Sequence, residues 1–167
     1  MAMDNELCGI LTVGLQKEHA SHDLYLEAAA KVWHPLGKKM FERLAEEETR
    51  HEQLLKSWSA KGACPVSSEA PEMDKDFMAR ARATIKSTVK PSSGDLEALQ
   101  MGQDLERKSI AFYLDAAAKA PDQPSKDLFL RLKGEEDKHL ALLTDLLGYM
   151  SNPNLWSVRD EHANFDS

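Results

Sequence analysis

Six side chains of the kind that bind metal ions recur in this chain at one fixed offset. Glu18 returns as Glu106, Glu48 as Glu136 and His51 as His139, each pair 88 positions apart. Their surroundings return with them: Leu11, Gly14, Ser21, Tyr25, Phe41, Leu44 and Leu55 are matched by Leu99, Gly102, Ser109, Tyr113, Phe129, Leu132 and Leu143. Each half therefore offers one Glu and then a Glu-x-x-His. Two such halves set face to face could hold two metal ions between four carboxylates and two imidazoles. Four carboxylates balance two divalent ions. Oxygen donors with one imidazole per ion suit iron or manganese, whereas zinc, still possible, more usually takes fewer carboxylates and more His or Cys.

The elements that must position these groups read as helices. From 5 to 31 the chain has neither Pro nor a Gly cluster, Asp4 can cap its start, and Pro35 marks a break. A second helix is predicted over about 36–60, ending at Gly62 before a Pro- and Ser-rich stretch. Pro71 can open an additional helix over 72–89, and Pro91, Ser92, Ser93 and Gly94 then end it. A third long helix is predicted over 95–120 and a fourth over 125–147, followed by a tail with mixed turn residues. Short links join the first helix to the second and the third to the fourth. A connection of some 30 residues joins the second to the third, enough to run the length of a bundle. The expected fold is all-α: an antiparallel four-helix bundle with one long crossover. Residues 1–150 form its domain, with an internal repeat of 5–61 and 93–147, and 151–167 form a C-terminal tail.

Helical phase brings the acids inward. At 100° per residue, Leu44, Glu48, His51 and Leu55 fall within an arc of about 60°, and Leu132, Glu136, His139 and Leu143 repeat it. On the first helix Leu11, Leu15, Glu18, His22, Tyr25 and Ala29 share a stripe, and on the third Leu99, Gln103, Glu106, Ile110, Tyr113 and Ala117 do. Ionised carboxylates on a core stripe are costly unless paired or bound to a cation, so these positions ask for metal. Glu47 and Glu135 also repeat but lie off the stripe, as boundary or surface acids. His22 breaks the symmetry, facing Ile110 at the equivalent place. It is either a further ligand or proton donor, or a core His bonded to a carboxylate.

Composition narrows the function classes. With 42% hydrophobic and 29% charged residues the chain is a soluble globular protein, and its formal charge of -7 argues against a nucleic-acid surface. No apolar run reaches the roughly 20 residues of a membrane span, and the first residues lack the pattern of a signal peptide, which places the protein in the cytoplasm. Cys8 and Cys64 are far apart and form no Cys-x-x-Cys, so both are expected as free, partly buried thiols.

With Glu18-x6-Tyr25, Glu48-x2-His51, Glu106-x6-Tyr113 and Glu136-x2-His139, the chain resembles the ferritin-like di-iron carboxylate superfamily, and within it the rubrerythrin-like group, over about residues 5–147. The resemblance implies that Glu48 and Glu136 bridge two iron ions, that Glu18 with His51 and Glu106 with His139 complete the two ends, and that Tyr25 and Tyr113 hold the terminal carboxylates. It also implies reduction of H2O2 or O2. Two departures matter. Rubrerythrin has a further Glu where this chain has Ser109, and no four-Cys rubredoxin tail is present, so electrons must come from a separate carrier protein. The first expectation is thus a di-iron oxidoreductase, as a homodimer; the alternative is a ferroxidase-type protein that stores or delivers iron.

Overall fold

A computed structural model of the chain describes residues 5–62, Cys64 and 93–152. Four long helices make up these residues: α1 (Asn5–Lys31), α2 (Pro35–Lys61), α3 (Ser93–Lys119) and α4 (Gln123–Ser151). The additional helix expected over 72–89 and most of the expected tail lie outside the described residues.

Local sequence explains where the helices start. His34 caps α2, its Nδ1 accepting from the Leu36 amide at 3.2 Å, and Pro35 follows at the first helical position, where a missing amide hydrogen costs nothing. Asp122 does the same for α4, accepting from the Ser125 amide at 2.8 Å. The turn between α1 and α2 is tied down from a distance. Asp95, buried in the first turn of α3, accepts from the amides of Trp33 and His34 at 2.9 and 2.7 Å.

The helices pack as two hairpins, α1 on α2 and α3 on α4, which meet through the α1–α3 and α2–α4 faces. Two apolar clusters fill the bundle. One gathers Leu24, Tyr25, Phe41, Leu44, Leu99 and Leu143; the other gathers Leu11, Leu15, Leu55, Tyr113, Phe129 and Leu132. Each cluster draws one half of every repeated pair, so the two exchange roles under the 88-residue offset. Close helix contact is possible because both stripes carry a glycine: a Cβ on Gly102 would stand 3.2 Å from Leu143 Cδ1, and one on Gly14 would stand 3.4 Å from Leu55 Cδ1.

Three expectations are corrected. Helix α4 does not stop near 147 but runs through Gly148 to Ser151, because Tyr149 and Met150 still find the core to pack on and Tyr149 meets the His34 ring edge-on. His22 is not a core residue: its side chain is 27% exposed and its Nδ1 lies 2.9 Å from Asp23 Oδ1. Its counterpart Ile110 is likewise only partly buried, whereas Ser21 and Ser109, three residues beyond the acids, are 3% and 4% exposed. The stripe thus advances by three residues after each Glu, and the four-residue step falls about 40° beyond it. The cysteines, finally, are not free: Cys8 and Cys64 form a disulfide, with Cα atoms 5.3 Å apart. The start of α1 and the end of α2 lie side by side in the hairpin, and 56 residues of chain separate two thiols that the fold makes neighbours.

Candidate metal centre

Between the two apolar clusters the six repeated ligand-type residues come together. Glu18, Glu48, His51 and Glu136 form one group and Glu48, Glu106, Glu136 and His139 a second, with the donor atoms of each group within 4.8 Å of one another. Glu48 and Glu136 belong to both. All six are 1–4% exposed. The centre takes one acid from each of α1 and α3 and one Glu-x-x-His pair from each of α2 and α4.

Both imidazoles turn Nδ1 inward. His51 Nδ1 lies 2.9 Å from Glu136, 3.1 Å from Glu48 and 3.3 Å from Glu18; His139 Nδ1 lies 3.6 Å from Glu48 and from Glu106. The rings stack with centroids 5.4 Å apart. The tyrosines act across the bundle. Tyr25 on α1 donates to Glu106 on α3, and Tyr113 on α3 donates to Glu18 on α1. Each terminal acid is therefore oriented by the tyrosine of the opposite half.

The electrostatics show how much positive charge this arrangement needs. Burial, reinforced by Glu48 and Glu136, pushes the Glu18 carboxyl well above the usual range, and burial with the Glu136 charge does the same to Glu106. Burial also acts on Glu48, but hydrogen bonds from Glu18 and His51 and the nearby His139 outweigh it and hold Glu48 low. For Glu136 burial and the Glu48 charge push upward, and Glu106, His139 and His51 beside it prevail downward. Burial opposes charge on both imidazoles, yet the acids around them hold His51 far above its ordinary range and push His139 up to about 12. Without metal, the cluster thus favours protons on Glu18, Glu106 and both imidazoles. Bound divalent ions would take the place of these protons, offsetting the carboxylate charge that the protons offset in their absence. Burial first, then Glu106 for Tyr25 and Glu18 for Tyr113, raise both phenols, so they remain hydrogen-bond donors.

The residues fit a metal pair on an observation independent of those protons. Glu106 Oε2 is buried with no hydrogen-bond partner, although such atoms rarely go unsatisfied, and His139 Nδ1 stands 3.6 to 3.7 Å from Glu48, Glu106 and Glu136, beyond hydrogen-bond distance. A cation between the two groups would satisfy them.

A search of curated proteins gave no match. The rubrerythrin sequence profile, however, matches residues 9–147. The chain belongs to the rubrerythrin family. Among solved structures, this rubrerythrin-family chain is similar to the bacterioferritin-related protein of Bacteroides fragilis, described as a dodecameric thioferritin. That similarity has a TM-score of 0.65 and 20% identity, and covers 98% of this chain and 94% of the other. At that identity it speaks for the ferritin-like fold alone.

Of the other residues singled out, His22 stands outside both groups, bonded to Asp23 on the outer face of α1. Glu135 lies nearer the centre than its off-stripe phase suggests: Oε2 is 3.5 Å from His51 Nε2, the nitrogen facing away from the cluster. A cleft of about 190 Å³ opens beside it between α2 and α4, with His139 and Leu44 in its wall and Glu47 across from Glu135. The signal for this pair was its exact 88-residue repetition, which phase alone discounted.

Proposed function

We propose that this chain is a di-iron carboxylate oxidoreductase that reduces H2O2 or O2, taking electrons from a separate carrier protein. The observation that carries the reading is the pair of buried groups sharing Glu48 and Glu136: this is the ligand pattern of two adjacent ions, each with one imidazole and an otherwise oxygen-rich shell. Glu48 and Glu136 would bridge, Glu18 and His51 would complete one end, and Glu106 and His139 the other. Manganese fits the same donors, and zinc fits them less well. When bound, the pair supplies Lewis acidity and a two-electron store.

The protein's own groups determine the rest. Tyr113 and Tyr25 hold Glu18 and Glu106 by one oxygen each; the other oxygen of Glu18 faces His51, and that of Glu106 has no hydrogen-bond partner and is free to take up a metal ion. The buried Leu15, Leu44, Leu132 and Leu143 make the surroundings apolar, which strengthens charge interactions inside. Reduction of H2O2 to two waters consumes two electrons and two protons. The phenols, held above their ordinary range, are orienting groups rather than sources of those protons. Ser109, buried one turn beyond Glu106 where rubrerythrin carries a further Glu, leaves the Glu106 end without an additional carboxylate.

A second reading, ferroxidase-type storage or delivery of iron, is favoured by one finding: the structurally similar protein is described as a dodecameric thioferritin. Storage needs a closed shell of many copies, while the oxidoreductase reading expects a homodimer. Metal analysis of protein from iron-sufficient cells should give two irons per chain. Mixing the reduced protein with H2O2 and with O2 in stopped flow should then oxidise the centre within a turnover time. Oxidation that is fast only while free iron is added, together with a cage-sized particle in solution, would favour storage.

A further inference from the structure

All six proposed ligands are at most 4% exposed, so any ion that reaches them must pass through an opening in the bundle. We propose that the cleft between α2 and α4 is the passage by which divalent metal ions enter, with Glu47 and Glu135 as transient carboxylate ligands that hand the ion to the centre. The inference rests on the metal-pair reading above.

Several independent features converge on this cleft. Its volume of about 190 Å³ has room for several waters at roughly 30 Å³ each, enough for a partly hydrated ion. His139 forms part of its wall while its Nδ1 faces Glu48 and Glu106, so one ring borders both cleft and centre, and His51 Nε2, buried with no hydrogen-bond partner, faces Glu135. On the other side Glu135 Oε2 approaches His51 Nε2 to 3.5 Å, so one acid of the cleft already touches a residue of the centre. The charges are layered. Arg43 and Lys138 are exposed at the rim, while the Glu47 and Glu135 side chains are only 22% and 31% exposed and lie deeper. An entering cation must pass the solvent-screened Arg43 and Lys138 before it meets the carboxylates, which lead on to the buried acids. Each carboxylate is held meanwhile by an arginine of its own helix, Glu47 by Arg50 and Glu135 by Arg131 at 3.5 Å, pairs exposed enough to exchange readily. Both acids recur at the 88-residue offset although neither belongs to the core stripe or to either ligand group, so the repetition is unexplained by packing or by the metal pair itself.

The test follows the loading of metal-free full-length chain with Co2+ in stopped flow, through the visible absorption gained as the ion leaves water. Three variants are compared with the parent: Glu47→Gln with Glu135→Gln, Leu142→Trp to plug the cleft wall, and a charge-matched control, Asp104→Asn with Asp115→Asn, at exposed positions of α3. The two cleft variants should load about tenfold or more slowly, as expected for loss of a focused entry path, while reaching the parent's final Co2+ content. The control should load within a factor of about two of the parent. Cleft variants that load at the parent or control rate would overturn the passage. So would an effect of the double Gln variant confined to faster Co2+ release, which would make the acids props for the centre, as Glu135 is placed to be for His51. A parent chain that takes up no Co2+ pair would instead remove the metal-pair reading, and this inference with it.

Discussion

Glu48 and Glu136 differ from the other four ligand-type residues in belonging to both donor groups. Replacing either by Ala should therefore empty both sites, whereas His51→Ala or His139→Ala should mainly weaken one; metal counting on purified variants checks this. Two metals retained by Glu48→Ala would defeat the bridging assignment. The tyrosines are a subtler case. Because Tyr113 holds Glu18 and Tyr25 holds Glu106, Tyr113→Phe should loosen the Glu18 end alone, at a cost of roughly 10- to 100-fold in affinity there. At His22 the structure points to little effect. It is partly exposed, pairs with Asp23, and stands where Ile110 stands in the other half. His22→Leu should leave the fold and metal content intact and peroxide oxidation within a factor of about three, since general acid help is typically worth about a hundredfold.

Helix phase located the ligand stripe because a buried face must recur every three or four residues, and Glu48, His51, Glu136 and His139 lie where leucines precede and follow them. Phase was weaker at the edges of the stripe. It placed His22 inside and Ser21 unremarked, because one pair of steps, three or four residues, decides between core and rim and only the crossing of α1 with its neighbours chooses. The Cys8–Cys64 bond ties the start of α1 to the end of α2, closing the first hairpin. A closed loop of 56 residues corresponds to about 4 kcal/mol at most in the chain-entropy account. Reduction should therefore lower the melting temperature distinctly while leaving the helices formed, as measured by circular dichroism with and without reductant. Such bonds persist mainly in oxidising compartments, so the state of this pair depends on its surroundings. Alkylation of thiols at the moment of lysis would count how many are free.

At the scale of the molecule the centre couples metal, protons and stability. Glu18 and Glu106 have raised affinities for protons in the folded chain, so the stability they contribute is complete below about pH 4.3 and is lost as pH climbs through their folded values. The imidazoles are raised too: their contribution is complete below about pH 6.5 and is lost as pH rises, for His139 toward about 12. Glu48 and Glu136, held low, act oppositely, and their share disappears only as pH falls below about 4.3. The metal-free protein should thus melt at progressively lower temperature from pH 5 to pH 9, while the metal-loaded form, having no such protons to lose, should change little. Loading near neutral pH should release protons, measurable by an indicator dye, because the groups that hold them become metal ligands. A metal-free chain whose melting point rises over that range would contradict the charge balance drawn here.

By itself the sequence determined the four long helices, the hairpin pairing implied by short links, and the identity of all six clustered residues, because an exact repeat and a helical period are both properties of residue spacing. What it could not determine were relations between residues distant along the chain. Phase puts Tyr25 on a core face but does not say that its partner is Glu106 rather than Glu18, which stands beside it on the same helix. Spacing shows Cys8 and Cys64 as strangers, and only the packing of α1 on α2 makes them neighbours. Glu135 is off the core stripe of α4, yet the approach of α2 brings His51 Nε2 within 3.5 Å of it. Each of these depends on how the helices cross and how deep they interlock. That geometry arises from the summed fit of side chains across the bundle and is carried by no local stretch of the chain.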